Sequence, residues 1–460
     1  MKTIKPVKRK AGHHPAKWRW VLPALFVVLM AAPLAAAESP LTLEQCLDMA
    51  AAGNPDIVRA EKGEEETAYR LKKAEAGYFP EMGVSASAGY ISQVNQTRPD
   101  DVTVTLTPGQ PPITIPGRAI EIGDEQNRDL SLALWQPLYA GGSIKNNVRM
   151  SEAALSAAVS QTALQKSDIR KRVTTAFYEL AMAVESKKIA EAAKNQIDSH
   201  LQDARNLLAQ GMIIKNDLYP IEIRRLETEQ QIIQTEDAIA KTRAALAEIM
   251  GLSPDTPVDI AVDWKNPPPW PVPEDLTAAP PERQEQKIAR QQVEMAAAEE
   301  AIAGGARLPR VGLTASTHYG WPGFKGNEPD WDTWWQAGVN LTWNVFDMGR
   351  RGNEQKAART KKTRLEKDRE AIDRRVALDR LNARLTYEEA CRRRIIGEEK
   401  VLAARENYRT REDNYRVGTA TGSDYLDAHT ELMTAEIDLS ITCARVRIAW
   451  ADYMRALGIE

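Results

Sequence analysis

The chain has 460 residues, of which 43% are hydrophobic and 27% charged, and this composition excludes a disordered chain. The first 37 residues hold seven basic and no acidic side chains, so the remainder is acidic, which argues against a nucleic-acid-binding protein. Three widely spaced cysteines exclude a disulfide scaffold and a cysteine-based zinc site.

The N-terminus has the pattern of a secretory signal peptide. Residues 1–20 are basic, residues 21–30 are apolar, and Ala35-Ala36-Ala37 matches the small-residue cleavage pattern, so we expect a signal peptide at 1–37. The alternative is a membrane anchor, which the prolines and the small-residue end disfavour. No other run approaches the roughly 18 apolar residues of a spanning helix. If the mature chain crosses a membrane, it must do so with β-strands.

The mature sequence repeats itself. YFPEMGVSASAGY (78–90) aligns with RLPRVGLTASTHY (307–319), and Trp135 aligns with Trp343. Gly211 and Asp217 align with Gly418 and Asp424 at an offset of 207 residues. A repeat of this length indicates a duplicated supersecondary block. We therefore divide the chain into a first repeat (38–251), a Pro-rich linker (252–281) and a second repeat (282–460).

Each repeat is predicted to contain one very long helix. Segment 144–210 has no proline or glycine, its counterpart 353–416 has one glycine, and both carry apolar residues at steps of three and four. At about 1.5 Å per residue, each helix is about 100 Å long and needs partners along its whole length. We expect these partners to be the returning helices 217–250 and 424–457 and the leading helices at about 41–77 and 282–303.

Four segments alternate with a period of two, at about 83–91, 129–139, 310–321 and 334–346. They form either a sheet half-buried in a soluble core or part of a membrane barrel with an apolar outside. Aromatic residues that we interpret as an interfacial girdle are Tyr90, Tyr319, Trp321, Trp331, Trp334 and Trp335. Since four strands cannot close a barrel and an open edge is not tolerated in lipid, several chains must share one. Eight, twelve and sixteen strands remain open.

The pattern resembles the TolC family of outer-membrane efflux proteins. The resemblance rests on LTLEQCLDMAAAGNPDI (41–57), the strand entries after Pro80 and Pro309, WQPLYAGG (135–142) and YRVGTATGSDYLDA (415–428). It implies a mainly α protein with a transmembrane β part: a homotrimer whose twelve-stranded barrel continues into a periplasmic α-helical barrel. It also implies a location in the outer membrane of a Gram-negative bacterium. The implied partners are a periplasmic adaptor, an inner-membrane transporter of RND, ABC or MFS type, and outer-membrane lipid.

The resemblance also implies roles for residues at the periplasmic tips, which are the turns of the two helical hairpins near Gly211 and Gly418. Those expected to dock the adaptor are Gly211, Met212, Arg416, Val417, Gly418 and Thr419. Tyr415 and Asp217 resemble a pair that holds the closed tip together, and Asp424 and Asp427 resemble two aspartates that line the pore constriction. Ala420 stands where some relatives have a gate arginine, so any closing salt bridge must be absent or built differently.

Structural alternatives exist for these residues. Asp424 and Asp427 share a helix face, but both also suit a helix start, with Ser423 or Asp424 as the N-cap. The internal repeat favours a shared capping role for Asp424 and Asp217, whereas Asp427 aligns with a proline. Tyr415 could simply pack between helices.

No catalytic, cofactor or metal site is expected. The glycines near 141 and 349 are interpreted as strand-to-helix bends, and no nucleophile elbow is visible. The three mature histidines, His200, His318 and His429, lack metal-ligand spacing. The resemblance implies a passive exit duct of a tripartite efflux or type I secretion system, which is the leading expectation. The alternative is a periplasmic coiled-coil scaffold or adaptor, which would wash off membranes with salt.

Overall fold

The computed structural model describes residues 40–92, 95–105, 111–122, 124–273, 280–323, 330–417 and 419–459. The expected signal peptide (1–37) and the tip residue Gly418 lie outside these residues. The helices are α1 (Leu43–Gly53), α2 (Pro55–Ala76), α3 (Ser143–Ala209), α4 (Lys215–Ile249), α5 (Gln284–Gly305), α6 (Arg350–Arg416) and α7 (Gly422–Leu457). The strands are β1 (Glu81–Tyr90), β2 (Asn95–Thr97), β3 (Val102–Val104), β4 (Ile113–Ile115), β5 (Ile120–Ile122), β6 (Gln126–Tyr139), β7 (Arg310–Trp321) and β8 (Asp332–Thr342).

The two long helices, α3 and α6, have 67 residues each. Each begins at a glycine in the left-handed region, Gly142 with φ of 77° and Gly349 with φ of 82°. This conformation is cheap only for glycine, and it turns the chain sharply from a strand into a helix. The glycines therefore act as the predicted bends. None of the described helices combines the length and apolarity needed to cross a membrane.

The leading helix of the first repeat differs from the prediction. Residues 41–77 were expected as one helix, but the chain breaks between α1 and α2 at Asn54. Pro55 cannot donate a backbone hydrogen bond, and it disfavours the helical conformation of the residue before it. Asn54 is buried; its Oδ1 accepts a hydrogen bond from Asp56 N, and its Nδ2 donates to the Ile249 carbonyl at 2.8 Å. Asn54, at the break between α1 and α2, thus attaches both helices to the end of α4.

The helices pack side by side as an open wall. At the tip half, the contacts run from α4 to α3, α3 to α7, and α7 to α6. At the half near the strands, they run from α2 to α3, α3 to α5, and α5 to α6. The returning helices are about half as long as the arms, so α2 and α5 cover the rest, as predicted. The wall ends at α6 on one side and at α2 and α4 on the other.

The strands form one four-stranded antiparallel sheet in the order β1-β6-β7-β8. Pairs β2-β5 and β3-β4 form separate two-stranded ribbons within the long connection from β1 to β6. Within the sheet, β1 and β8 are paired on one side only. The mainly helical fold with four main strands and two repeats is confirmed.

The segment after α4 fastens the two hairpins together at mid-length. Leu41 pairs with Ile260, and the Tyr387 hydroxyl donates to the Pro269 carbonyl at 2.7 Å. Arg447 of α7 donates to the Asp263 carbonyl at 2.6 Å and lies 5.1 Å from the centre of the Trp264 ring. Both contacts tie this proline-rich segment to the second repeat.

Candidate functional site: the helical tips and the polar face of the sheet

The first tip joins α3 to α4 through a tight turn at Gly211, which has φ of 69°. Met212 follows it and is 70% exposed. Asp217 lies in the first turn of α4, and its Oδ2 accepts a hydrogen bond from Ile214 N at 3.1 Å. The exposed turn is therefore free for a partner, whereas Asp217 satisfies the start of its helix.

The second tip uses the same device. Thr421, rather than Ser423 or Asp424, is the N-cap of α7, and its hydroxyl accepts from Asp424 N at 3.2 Å. Asp424 Oδ2 accepts from Thr421 N and from the Thr421 hydroxyl, and the hydroxyl hydrogen bond in particular lowers the pKa of the carboxyl. Arg411 of α6 lies 3.8 Å from Asp424 Oδ1. Asp424 is therefore not the N-cap itself but completes the capping box of Thr421, and it also has an arginine neighbour despite Ala420.

Other predicted docking residues surround this turn. Arg416 pairs with Glu412 at 3.0 Å, Val417 is 73% exposed, and the Thr419 hydroxyl donates to the Asn414 carbonyl. Gly418, between them, is outside the described residues. The described part of the turn exposes an apolar side chain next to an arginine.

Asp427 has an environment different from that of Asp424. It lies on the exposed side of α7, between the buried residues Leu426 and Ala428. Among the residues that the structure describes, its carboxylate makes no hydrogen bond or ion pair. No capping role occupies it, so a pore-lining role stays a prediction for Asp427.

Tyr415 is half-buried between the two hairpins. Its ring centre lies 4.8 Å from that of His200 on α3 and 5.6 Å from that of Tyr425 on α7. Burial raises the pKa of Tyr415, and the carboxylates of Asp203 and Asp217 raise it further. Asp217 is therefore near Tyr415, but it hydrogen-bonds the backbone of its own helix.

The sequence did not single out the cluster around Tyr415, which we call the hairpin joint: Tyr415, His200, Tyr408, Tyr425 and His429. The Tyr408 and Tyr425 hydroxyls lie 3.1 Å apart, and the His200 and Tyr425 ring centres lie 4.4 Å apart. A signal was present, since His200 and His429 fall among apolar residues on helices. The cluster is where α3 meets the second hairpin.

The sheet has one apolar and one polar face. Exposed apolar-face residues are Met82, Val84, Tyr90, Leu130, Leu132, Tyr319, Trp335, Val339 and Leu341. On the opposite face, Ser85, Ser131, His318 and Trp334 align across the four strands. The expectation that Trp334 joins the apolar girdle was therefore wrong, because its ring stacks on His318 with centres 5.1 Å apart.

The polar face also holds a hydrogen-bonded group that the sequence did not predict. His318 Nδ1 lies 3.1 Å from Asp129 Oδ2, and its Nε2 lies 3.0 Å from the Ser316 hydroxyl oxygen. Asp129 comes from β6, so the pairing depends on the register of two strands far apart in sequence. The face is thus polar and carries a hydrogen-bonded pair of side chains from two strands.

A layer of long helices joined to a sheet with one apolar and one polar face is the architecture of a membrane-channel subunit. The sequence matches the family of outer membrane efflux proteins over residues 46–252 and 282–459. The chain belongs to this family, and the predicted TolC-family resemblance is confirmed. Among proteins with curated functions, none matches the sequence significantly.

Solved structures of outer-membrane channels share the fold. VceC from Vibrio cholerae is 18% identical, with 91% of this chain and 97% of that chain covered and a TM-score of 0.73. CmeC from Campylobacter jejuni is 14% identical, with coverages of 90% and 85% and a TM-score of 0.75. The open state of MtrE from Neisseria gonorrhoeae is 17% identical, with coverages of 91% and 89% and a TM-score of 0.71.

The protein is an outer-membrane exit duct for tripartite efflux systems, with a large periplasmic helical part. The family and the similar structures are channels rather than enzymes. A channel agrees with the exposed apolar face of the sheet, which a periplasmic scaffold does not need.

Proposed function

We propose that three copies of this chain close into one passive duct, with twelve strands around the outer-membrane pore and the helical wall extending into the periplasm. The observation that carries this proposal is that sheet and wall are both open at their sides. Among the described residues, β1 and β8 each have an unpaired edge, which lipid does not tolerate. Chains that share the barrel would pair these edges with each other.

Exposed apolar stripes on the outer helices support self-association. On α4, Tyr219, Ile223, Leu226 and Ile233 are each more than half exposed and recur at helical spacing. On α6, at the other side of the wall and at a similar distance from the tips, Ile395 and Leu402 share one face and are 40% and 67% exposed. Contact between these stripes in neighbouring copies would bury both.

The proposal includes the roles at the periplasmic end. Gly211, Met212, Arg416, Val417, Gly418 and Thr419 dock the adaptor, which in turn connects the duct to an inner-membrane transporter of RND, ABC or MFS type. Tyr415 and Asp217 contribute to the tip gate. Asp424 and Asp427 form acidic rings at the constriction, which would favour cations. The exposed, unpaired carboxylate of Asp427 supports this role more than the capping carboxylate of Asp424 does.

The proposal also includes the division of the chain into a signal peptide (1–37), two repeats (38–251 and 282–460) and a linker (252–281). Support comes from the family match, which leaves out residues 253–281 between its two matched parts.

Mass measurement of the detergent-solubilised protein tests the assembly. We expect a trimer for the unmodified protein and loss of the trimer for Leu226→Glu. This change places one charge per copy in a stripe that the contact between copies would bury. Gln231→Glu adds the same charge to the same helix, about 120° around the helix from the stripe, and should leave the trimer intact. A monomeric unmodified protein, or equal effects of both changes, would contradict the proposal.

A further inference from the structure

Two buried histidines connect the hairpins just above the tips. His200 is 6% exposed and His429 is 2% exposed. His429 Nε2 lies 2.9 Å from Gln196 Oε1 on α3, which bridges the first hairpin to α7. His200, also on α3, contacts the rings of Tyr415 and Tyr425 from the second hairpin. Both histidines therefore lie between the elements that must separate if the tip opens.

Within the described part of the chain, each histidine has a buried nitrogen atom without a hydrogen-bond partner. These atoms are His200 Nε2 and His429 Nδ1. A neutral imidazole can leave one nitrogen unprotonated in an apolar place at moderate cost, but an imidazolium carries a proton on both nitrogens and a full charge. Protonation would therefore place an unpaired N–H and a charge inside the hairpin joint.

We propose that the hairpin joint is a proton-operated latch, in which protonation of His200 and His429 separates α3 from the second hairpin and opens the periplasmic end of the duct. This inference rests on the proposed position of the tips at the entrance of the duct. Gly211 and the described part of the second turn lie just beyond the joint, so loosening the joint frees both tips together.

Burial of the histidines sets the direction of the pH dependence. Burial in the first place, together with the nearby Arg224 and His200, lowers the pKa of His429 from 6.5 to about 4. Burial also lowers the pKa of His200. Since the folded-state pKa values are lowered, the closed joint is fully stable above pH 6.5. That stability is lost as the pH falls from 6.5 towards 4.

The charged neighbours do not reverse this direction. On α3, Asp203 favours protonation of His200, but burial outweighs it. On α4, Arg224 opposes protonation of His429, and Asp217 acts on Tyr415. On α6, Glu412 and Arg416, of opposite charge, lie near Tyr408 and Tyr425. Among these described groups, Asp203 alone is a carboxylate that acts on a histidine of the joint.

Single-channel recording tests the latch on the full mature protein in planar bilayers, with only the tip side acidified from pH 7.5 to 4.5. We expect the open probability of the unmodified protein to rise on the order of tenfold, because the lowered pKa values couple protonation to opening. The double variant His200→Phe and His429→Gln keeps a ring and a hydrogen-bonding side chain without a titratable group, and it should lose this response. His318→Asn, in the sheet, should keep it.

A second measurement distinguishes failure of the latch proposal from failure of the duct proposal. Spin labels at Met212→Cys and Val417→Cys report the distances between the tips; Cys46 and Cys391 are buried, and Cys443 would be replaced by serine. The distance distribution should widen on acidification in the unmodified joint but not in the double variant or in His429→Gln alone. If the distances between the labels widen on acidification but the protein conducts no ions, the latch is supported and the proposed duct is contradicted. If the variants respond like the unmodified joint, or if no distance changes, the latch is overturned.

Discussion

Asp217 and Asp424 occupy equivalent positions, three residues after the residue that caps each returning helix. Asp217 Oδ2 accepts from Ile214 N, and Asp424 Oδ2 accepts from Thr421 N, both at 3.1 Å. Each carboxylate satisfies a backbone donor at a helix start, where a negative charge is also favourable. The two tips are therefore stabilised by one repeated device.

Removal of either capping carboxylate should loosen its own tip. We expect amide hydrogen exchange in the first turn of α7 to become roughly fivefold faster in Asp424→Ala, because the capping box is lost. Since the folded-state pKa of Asp424 is lowered, this stabilisation is present above its ordinary pKa of 3.8 and is lost as the pH falls below it. Asp427→Ala, one turn later, is the control and should leave the exchange unchanged; an equal effect would show that capping is not responsible.

Asp427 and Asp424 should differ in their effect on ion selectivity. We expect Asp427→Asn to reduce the cation preference of single channels more than Asp424→Asn does, because only Asp427 has an exposed and unpaired carboxylate. Reversal potentials in a salt gradient measure this preference. Unchanged selectivity in Asp427→Asn would remove this residue from the constriction.

The packing of α1 against α3 and α4 should contribute much of the stability of the helical part. Phe177 is 1% exposed and packs in a cluster with Cys46, Leu246 and Met250. Phe177→Ala should destabilise the fold by about 3–5 kcal/mol, because it removes a large buried ring. Thermal unfolding followed by circular dichroism measures the loss. Val159→Ala, at a position that is 47% exposed on the same helix, should cost much less.

Arg447 should hold the linker segment on the helices. In Arg447→Met, the hydrogen bond to the Asp263 carbonyl and the contact with Trp264 are both lost. We expect faster proteolytic cleavage within residues 252–273, measured by limited digestion and mass spectrometry. Arg445→Met, an exposed arginine two residues away, is the matched control. Equal cleavage in the two variants would show that Arg447 does not fasten the segment.

The sequence predicted features that have short-range signals. Glycines at 142 and 349 marked the bends, a period of two marked the strands, and the repeat aligned the two capping aspartates. The same period places Trp334 and Trp335 on opposite faces, so the wrong prediction for Trp334 came from grouping aromatics by proximity instead. The helix break was missed although Asn54-Pro55 is a stop signal.

Other features could not be read from one sequence. His429 and Gln196 are 233 residues apart, and Asp129 and His318 are 189 apart. Their meeting depends on which helices are neighbours and on strand register, and neither is set by local propensity. The hairpin joint and the polar group on the sheet therefore appear only once the chain is folded.

Single-channel recording of the purified mature protein in a planar bilayer tests the central claim most directly. The account predicts discrete, cation-preferring openings, and it predicts larger or more frequent openings when Tyr425→Ala removes a buried ring from the hairpin joint. A stable membrane-inserted oligomer that conducts no ions, even with Tyr425→Ala, would contradict the duct.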